Sequence, residues 1–208
     1  MTVTARELLF WPLKPIWRLV LRVVPTPDPW ERLSYRVPVK RYGEGSIHDF
    51  AWYFEGTSVV ATSSIDDIQQ WLLGCEYVSD PELFRVADYW QHPQTFEQIK
   101  RGDCEDHAIW AWRKLVELGY DADLVEGRCL PWAPGRPDSD RTHVWVIFRR
   151  EGGSFLLEAT SKIKHEMVKP LAEASPRYRP ELGVDRNRKR FAFGGAVVTM
   201  REREFARP

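Results

Sequence analysis

Gly102-Asp103-Cys104-Glu105-Asp106-His107-Ala108 opens the most regular segment of the chain. Over residues 104–118 apolar side chains return every three or four positions, through Ala108, Trp112, Leu115 and Val116. That is the period of a helix buried along one stripe. Asp103 has the short acceptor side chain of an N-cap, and Gly119 supplies the stop. Beyond Gly119 the period changes, and residues 122–129, 142–149 and 154–159 read as strands. Glu151-Gly152-Gly153 is turn chemistry between the last two. The pattern predicts an α+β fold in which Cys104 stands at the N-terminus of a central helix packed on an antiparallel sheet.

Upstream, Ser63-Ser64-Ile65-Asp66-Asp67 carries a serine cap and first-turn acids, so a helix is expected there, ending at Gly74. Asp80-Pro81-Glu82 starts a second, short helical segment that Pro93 interrupts, and residues 95–100 give a third. Residues 131–140 form a loop rich in Pro, Gly and Asp. Residues 191–200 are a last strand candidate, broken by a bulge at Gly194-Gly195. Residues 1–29 form a separate N-terminal amphipathic segment and proline-rich linker, and residues 30–208 a single domain with a basic C-terminal extension. Within that segment, residues 8–24 place Lys14, Arg18 and Arg22 on one helical face. The favoured reading is a helix packed on the domain's own core; peripheral contact with a membrane surface is the alternative. The run is too charged for a signal peptide or a bilayer span.

A chain of 208 residues with 43% hydrophobic residues is long enough for one sizeable core. The net charge of +0 is unevenly spread: the N-terminal segment and residues 164–208 are basic, and residues 25–126 acidic. Arg177, Arg179, Arg186, Arg188, Lys189 and Arg190 ahead of Phe191 raise nucleic-acid binding as an alternative of a different class. A solvated basic loop explains them more simply. The cysteines Cys75, Cys104 and Cys129 are too few and scattered for a disulfide framework. One functional thiol and no secretory leader point to a cytoplasmic protein, with a periplasmic or membrane-associated location as the alternative.

Cys104 at the first helical position feels the positive end of the helix dipole, which favours thiolate. Glu105 and Asp106 oppose that by like-charge repulsion. A cation is needed, and His143 in Thr142-His143-Val144-Trp145-Val146 can supply it. With an even-numbered loop joining the two strand-like runs, His143 and Glu158 share a sheet face; an odd-numbered one would send them to opposite faces. Glu158 then accepts from one imidazole nitrogen and leaves the other for Cys104. Val144, Val146, Phe148, Phe155 and Leu157 make the core side of the hairpin.

Asp88-Tyr89-Trp90, Pro93, Gly102-Asp103-Cys104-Glu105-Asp106 and Ala108 together resemble the signature of bacterial transglutaminase-like cysteine peptidases. Less specifically, they resemble the wider transglutaminase-like and papain-like superfamily. The resemblance covers roughly residues 65–162 and implies a papain-like core with Cys104 as nucleophile, His143 as base and Glu158 as orienting acid. It implies a protein or peptide substrate and hydrolysis of a peptide or related amide bond through a thioester. An amine in place of water would make the same intermediate that of a transglutaminase. Action of water on glutamine side chains would make it a deamidase, and a degenerate site would leave a binding module. Two positions depart from the family pattern. Glu158 stands where the family carries Asp or Asn, and His107, three residues from Cys104, stands where an aromatic is usual and is a rival base. The chemistry requires no cofactor, but members of the family bind calcium through acids at the positions of Asp103 and Glu105. Two carboxylates are too few for a calcium shell, and first-turn acids complementing the helix dipole explain them more simply. For the oxyanion, the Cys104 amide is joined by Gln98 and Trp90 as candidate donors.

Overall fold

The computed structural model describes residues 36–38, 48–129, 142–175 and 177–193. The N-terminal segment, the 131–140 loop and the Gly194-Gly195 bulge lie outside these residues. In chain order the strands are β1 (Arg36–Pro38), β2 (Glu76–Tyr77), β3 (Arg101–Gly102), β4 (Asp121–Cys129), β5 (Thr142–Arg150), β6 (Gly153–Leu157), β7 (Val168–Pro170), β8 (Tyr178–Val184) and β9 (Arg190–Phe193). The helices are α1 (Ile65–Leu73), α2 (Asp80–Leu83), α3 (Pro93–Ile99), α4 (Cys104–Glu117), α5 (Lys164–Met167) and α6 (Leu171–Ala174). A short 3-10 turn covers Trp52–Phe54.

Local chemistry explains most boundaries. The Ser64 hydroxyl accepts from the Asp67 amide at 3.1 Å and Gly74 closes α1, as expected. Pro93 behaves differently from the expectation. It occupies the first turn of α3, where a proline lacks no needed donor, and His92 Nδ1 caps the helix by accepting from Gln94 N–H at 3.2 Å. Proline therefore starts this helix instead of interrupting one.

The main sheet runs β1-β9-β8-β4-β5-β6-β7, and every neighbouring pair is antiparallel. The α+β expectation holds, and α4 packs on this sheet. Ala122, Leu124, Val144, Val146, Phe148 and Leu157 meet the helix in one cluster. The opposite face is also buried. Val125, Trp145, Ile147, Leu156, Tyr178, Phe191 and Phe193 form a second buried cluster there with Leu171 and Ala174 of α6. β8 went unrecognised in the sequence because Arg179, Pro180 and Glu181 break its apolar alternation.

Nearly all of α4 is buried, from Glu105 through Leu115, so the predicted single stripe is corrected to a wrapped helix. The wrapping explains its buried cations. The Arg113 guanidinium donates to the carbonyls of Tyr53, Glu55 and Gly56 at 3.2, 3.0 and 2.6 Å. Lys114 Nζ donates to Val60 O at 2.6 Å and to Ser58 Oγ. Satisfying these charges with backbone carbonyls fastens the 53–60 loop over the helix. Trp112 reaches the other way and donates to Ala122 O at 3.0 Å, tying α4 to β4.

The basic C-terminal run is part of the fold. Phe191 is buried, and Arg190 lies over the Phe50 ring at 5.2 Å while donating to His48 O. Phe191 therefore offers no stacking platform for a base. Among the described residues no helix is long and apolar enough to cross a membrane.

Candidate active site

The β5–β6 turn has two residues between Arg150 and Gly153, and the register pairs Val146 with Leu157. The parity argument therefore holds. His143 Nε2 donates to Glu158 Oε2 at 2.7 Å, with side chains 17% and 11% exposed. The same carboxylate oxygen accepts from Tyr178 OH at 2.9 Å. The other oxygen accepts from the Thr160 amide at 3.1 Å and its hydroxyl at 2.5 Å. Burial works against charge on both partners. The His143 interaction and the Thr160 and Tyr178 donors nevertheless hold the Glu158 carboxyl at about 2, and Glu158 in turn raises the imidazole above its ordinary value. Glu158 thus favours positive charge on the imidazole when it takes up a proton.

Cys104 is the first residue of α4, with Asp103 as N-cap. The approach to it is held firmly. β3 pairs in parallel with β2, and Val78 N–H donates to Gly102 O at 2.9 Å. Asp106 reaches back to accept from the Asp103 amide at 3.2 Å. Gln91 clasps the same carboxylate through its amide at 2.8 Å and its side chain at 2.5 Å. A Cβ on Gly102 would stand 2.2 Å from Asp106 Oδ2, so this close packing requires glycine.

The Cys104 thiol donates to Glu105 Oε2 at 3.3 Å, and the Val144 amide acts on the sulfur in the sense that favours thiolate. Val144 immediately follows His143, which brings the nucleophile helix against the strand that carries the imidazole. Among the described residues the thiol's hydrogen bonds do not include His143. Burial, followed by Glu105 and Asp103, pushes the thiol well above its ordinary value. Glu105 opposes ionisation as the sequence predicted, with Asp103 beside it where Asp106 was expected. All three cysteines are free.

The acids flanking Cys104 do not stand alone. Asp80, from α2, joins Asp103, Glu105 and Asp106, and one oxygen from each carboxylate lies within 4.8 Å of the others. Asp80, Glu105 and Asp106 are almost fully buried. Asp80 Oδ1, Asp103 Oδ1 and Glu105 Oε1 are buried without a hydrogen-bond partner. Burial and mutual repulsion raise Glu105 and Asp106 well above the carboxylate range, and burial chiefly raises Asp80 to about 6. Such an array calls for protons or for a cation. Sequence reading singled out only Asp103 and Glu105, because the other two acids converge from 23 residues upstream and from the next position on the helix.

Of the oxyanion candidates, Gln98 is exposed on α3, while its neighbours Phe96 and Glu97 are buried. Trp90 is 3% exposed and donates its indole N–H to Asp88 Oδ1 at 3.0 Å. The rival base His107 is fully buried, and its Nδ1 lies 2.7 Å from Asp103 O. Burial pushes it down to about 4, so it is a neutral donor that ties the first turn of α4 to its cap. Tyr178, Gln91 and Asp80 had no sequence signal, since each acts through a partner distant in the chain, and Thr160, two residues from Glu158, carried no pattern that marked it.

No protein-family model matches the chain, and no curated protein matches it. Among solved structures, Legionella pneumophila LapG is similar at 16% identity and a TM-score of 0.43, covering 81% of this chain and 82% of that one. The calcium-bound form of LapG gives a TM-score of 0.44 at the same identity and coverage. The EGTA-treated form gives 0.43, covering 80% of its own chain. At that level of likeness, the reading of the site rests on this chain's own geometry.

Proposed function

We propose that this protein is a cysteine-dependent acyl-transfer enzyme of the transglutaminase-like type, with Cys104 as nucleophile, His143 as base and Glu158 as orienting acid. The observation that carries the reading is the 2.7 Å His143 Nε2–Glu158 bond, with His143 on β5, a strand that packs against the helix headed by Cys104. With Nε2 committed to Glu158, Nδ1 is the nitrogen that exchanges protons with the thiol. The thiol proton passes to Nδ1 as sulfur attacks an amide carbon, and the carbonyl π pair moves onto oxygen. Collapse expels the amine, which takes its proton from Nδ1 and leaves a thioester. Water, deprotonated by Nδ1, then releases the acid and restores the thiol. The Cys104 amide in the first turn of α4 is the proposed oxyanion donor. Gln98 and Trp90 supply no observation that favours them over it.

Hydrolysis of a peptide or related amide is the favoured outcome. A glutamine-containing protein incubated with a labelled amine separates it from transfer. Cleavage without incorporation is expected, and incorporation of the label would overturn the hydrolase reading in favour of a transglutaminase. Neither outcome with any of a broad set of peptides would favour a binding module.

The four-carboxylate cluster fits a calcium ion, because hard oxygen donors with partnerless buried lone pairs suit that cation. Asp80, Asp103, Glu105 and Asp106 would hold it, and its contribution is to neutralise the acids beside the thiol. Calcium binding in excess of Kd is expected to raise Tm by about 5 °C over the EGTA-treated protein. Asp80→Asn is expected to remove most of that shift. Equal melting of the two forms would count against the cation.

A further inference from the structure

The Glu158 carboxylate is held far more completely than its bond to His143 alone would require. A glutamate side chain has three free torsions, and fixing it in one geometry costs rotamer entropy. In a buried site an untethered carboxylate would swing between partners. Here four donors meet its two oxygens. His143 Nε2 and Tyr178 OH reach Oε2, and the Thr160 amide and hydroxyl reach Oε1. These donors come from three separate parts of the fold: β5, the turn after β6 and the first residue of β8.

We propose that Tyr178 and Thr160 are positioning residues that lock the Glu158 carboxylate so that Oε2 faces His143. This rests on the triad reading above. Tyr178 is well suited to the task. Its ring packs edge-on against Trp145 with centroids 5.3 Å apart and lies 6.4 Å from the His143 ring. The Arg177 guanidinium covers it at 5.8 Å. Burial and Glu158 hold the phenol well above its ordinary value, so it remains a neutral donor at every working pH. Its backbone pairs with Cys129 at the end of β4, next to the strand that carries His143. Rigid β8 therefore fixes the hydroxyl, the hydroxyl fixes Oε2, and Oε2 fixes the tautomer and tilt of the imidazole. Thr160 supplies the second anchor from the chain immediately after the acid. With only one oxygen anchored, the carboxylate could still rotate about its last torsion; anchoring both removes that freedom.

The test reads His143 directly and does not depend on turnover. In Cys104→Ala protein with labelled histidine, the His143 Nε2 proton is expected to give a downfield NMR signal protected from exchange with water. Tyr178→Phe keeps the ring packing and removes only the hydroxyl, and it is expected to accelerate that exchange at least about 10-fold. Thr160→Val should act in the same direction, with the backbone amide spectrum of both variants remaining that of the folded parent. Glu158→Asp retracts the carboxylate by one methylene, out of reach of at least one anchor, and should resemble Tyr178→Phe. Exchange equal to the parent in both Tyr178→Phe and Thr160→Val overturns the proposal, as does a parent whose Nε2 proton is unprotected. In protein that retains Cys104, Tyr178→Phe should slow thiol alkylation by about 3–10-fold, with no added effect once Glu158 is alanine. An equal slowing in both backgrounds would show that Tyr178 acts through general stability and overturn its positioning role. If the NMR result holds while Cys104 proves no more reactive than Cys75, the acyl-transfer reading fails and the lock on His143 stands.

Discussion

His143→Ala is expected to slow alkylation of Cys104 by iodoacetamide about 100-fold at pH 7 while leaving Cys75 unchanged. The thiolate is the reacting species, and at pH 7 a thiol with an ordinary pKa is only a few per cent ionised. Burial, Glu105 and Asp103 push Cys104 further from ionisation. The helix dipole contributes only about 1 kcal/mol against them. The His143 imidazole can offset them, because Glu158 favours its charged form. Removing it leaves the repulsion of Glu105 and Asp103 less opposed, and the thiolate population falls. Cys75 is the internal reference, because burial drives it up to about 12 and the neighbouring charges that lower it come from Lys162 and Lys100. Peptide mapping by mass spectrometry reads all three cysteines in one sample. Equal rates for the three in the wild-type protein would make Cys104 a structural thiol.

Glu158→Gln is expected to cost about 3–5 kcal/mol of unfolding free energy near pH 5.5, since it strands a buried imidazolium and turns an amide against the donors of Thr160. The pH dependence identifies the ion pair. Glu158 is held at about 2, below the 4.5 of an unperturbed carboxyl, so the unfolded chain takes up this proton first as acid is added. Its contribution is present above about pH 4.5 and is lost as the pH falls towards 2. His143 is raised above 6.5, so its contribution is full below that pH and is lost as the pH climbs through the folded value. Both contributions describe one interaction and are not summed. The gap between wild type and Glu158→Gln in urea unfolding should therefore be widest between about pH 4.5 and 6.5 and narrow on both sides. A gap that stays constant from pH 3 to 9 would mean that no ion pair contributes.

The contrast between these two residues shows how the site divides between local and distant information. Cys104 at a helix start was legible because an N-cap, an apolar period and a glycine stop are all short-range signals. The His143–Glu158 pair was legible because strand parity and a two-residue turn decide which side chains share a face. The departure at Glu158 looked like a weakness in sequence, where a longer acid has no visible support. In the folded protein Tyr178 and Thr160 supply that support. The same holds for the acids beside the thiol. Asp103 and Glu105 read as first-turn acids until Asp80 arrived from α2 to make a buried cluster.

By itself the sequence determined the α+β class, the central helix and the hairpin after it, the cap and first turn that present Cys104, and the shared face of His143 and Glu158. Each follows from interactions spanning a few residues or one hairpin. Only the tertiary structure decided that both sheet faces are buried, that α4 is wrapped on nearly every side, and that His107 is neutral and tied to its own cap. It alone brought β8 beside β4, and with it the Tyr178 hydroxyl to the Glu158 carboxylate. The physical reason is that burial and convergence belong to three-dimensional neighbours. A carboxylate's proton affinity and a thiol's ionisation are set by whichever charges and donors the fold packs around them, and the chain order does not state which those are.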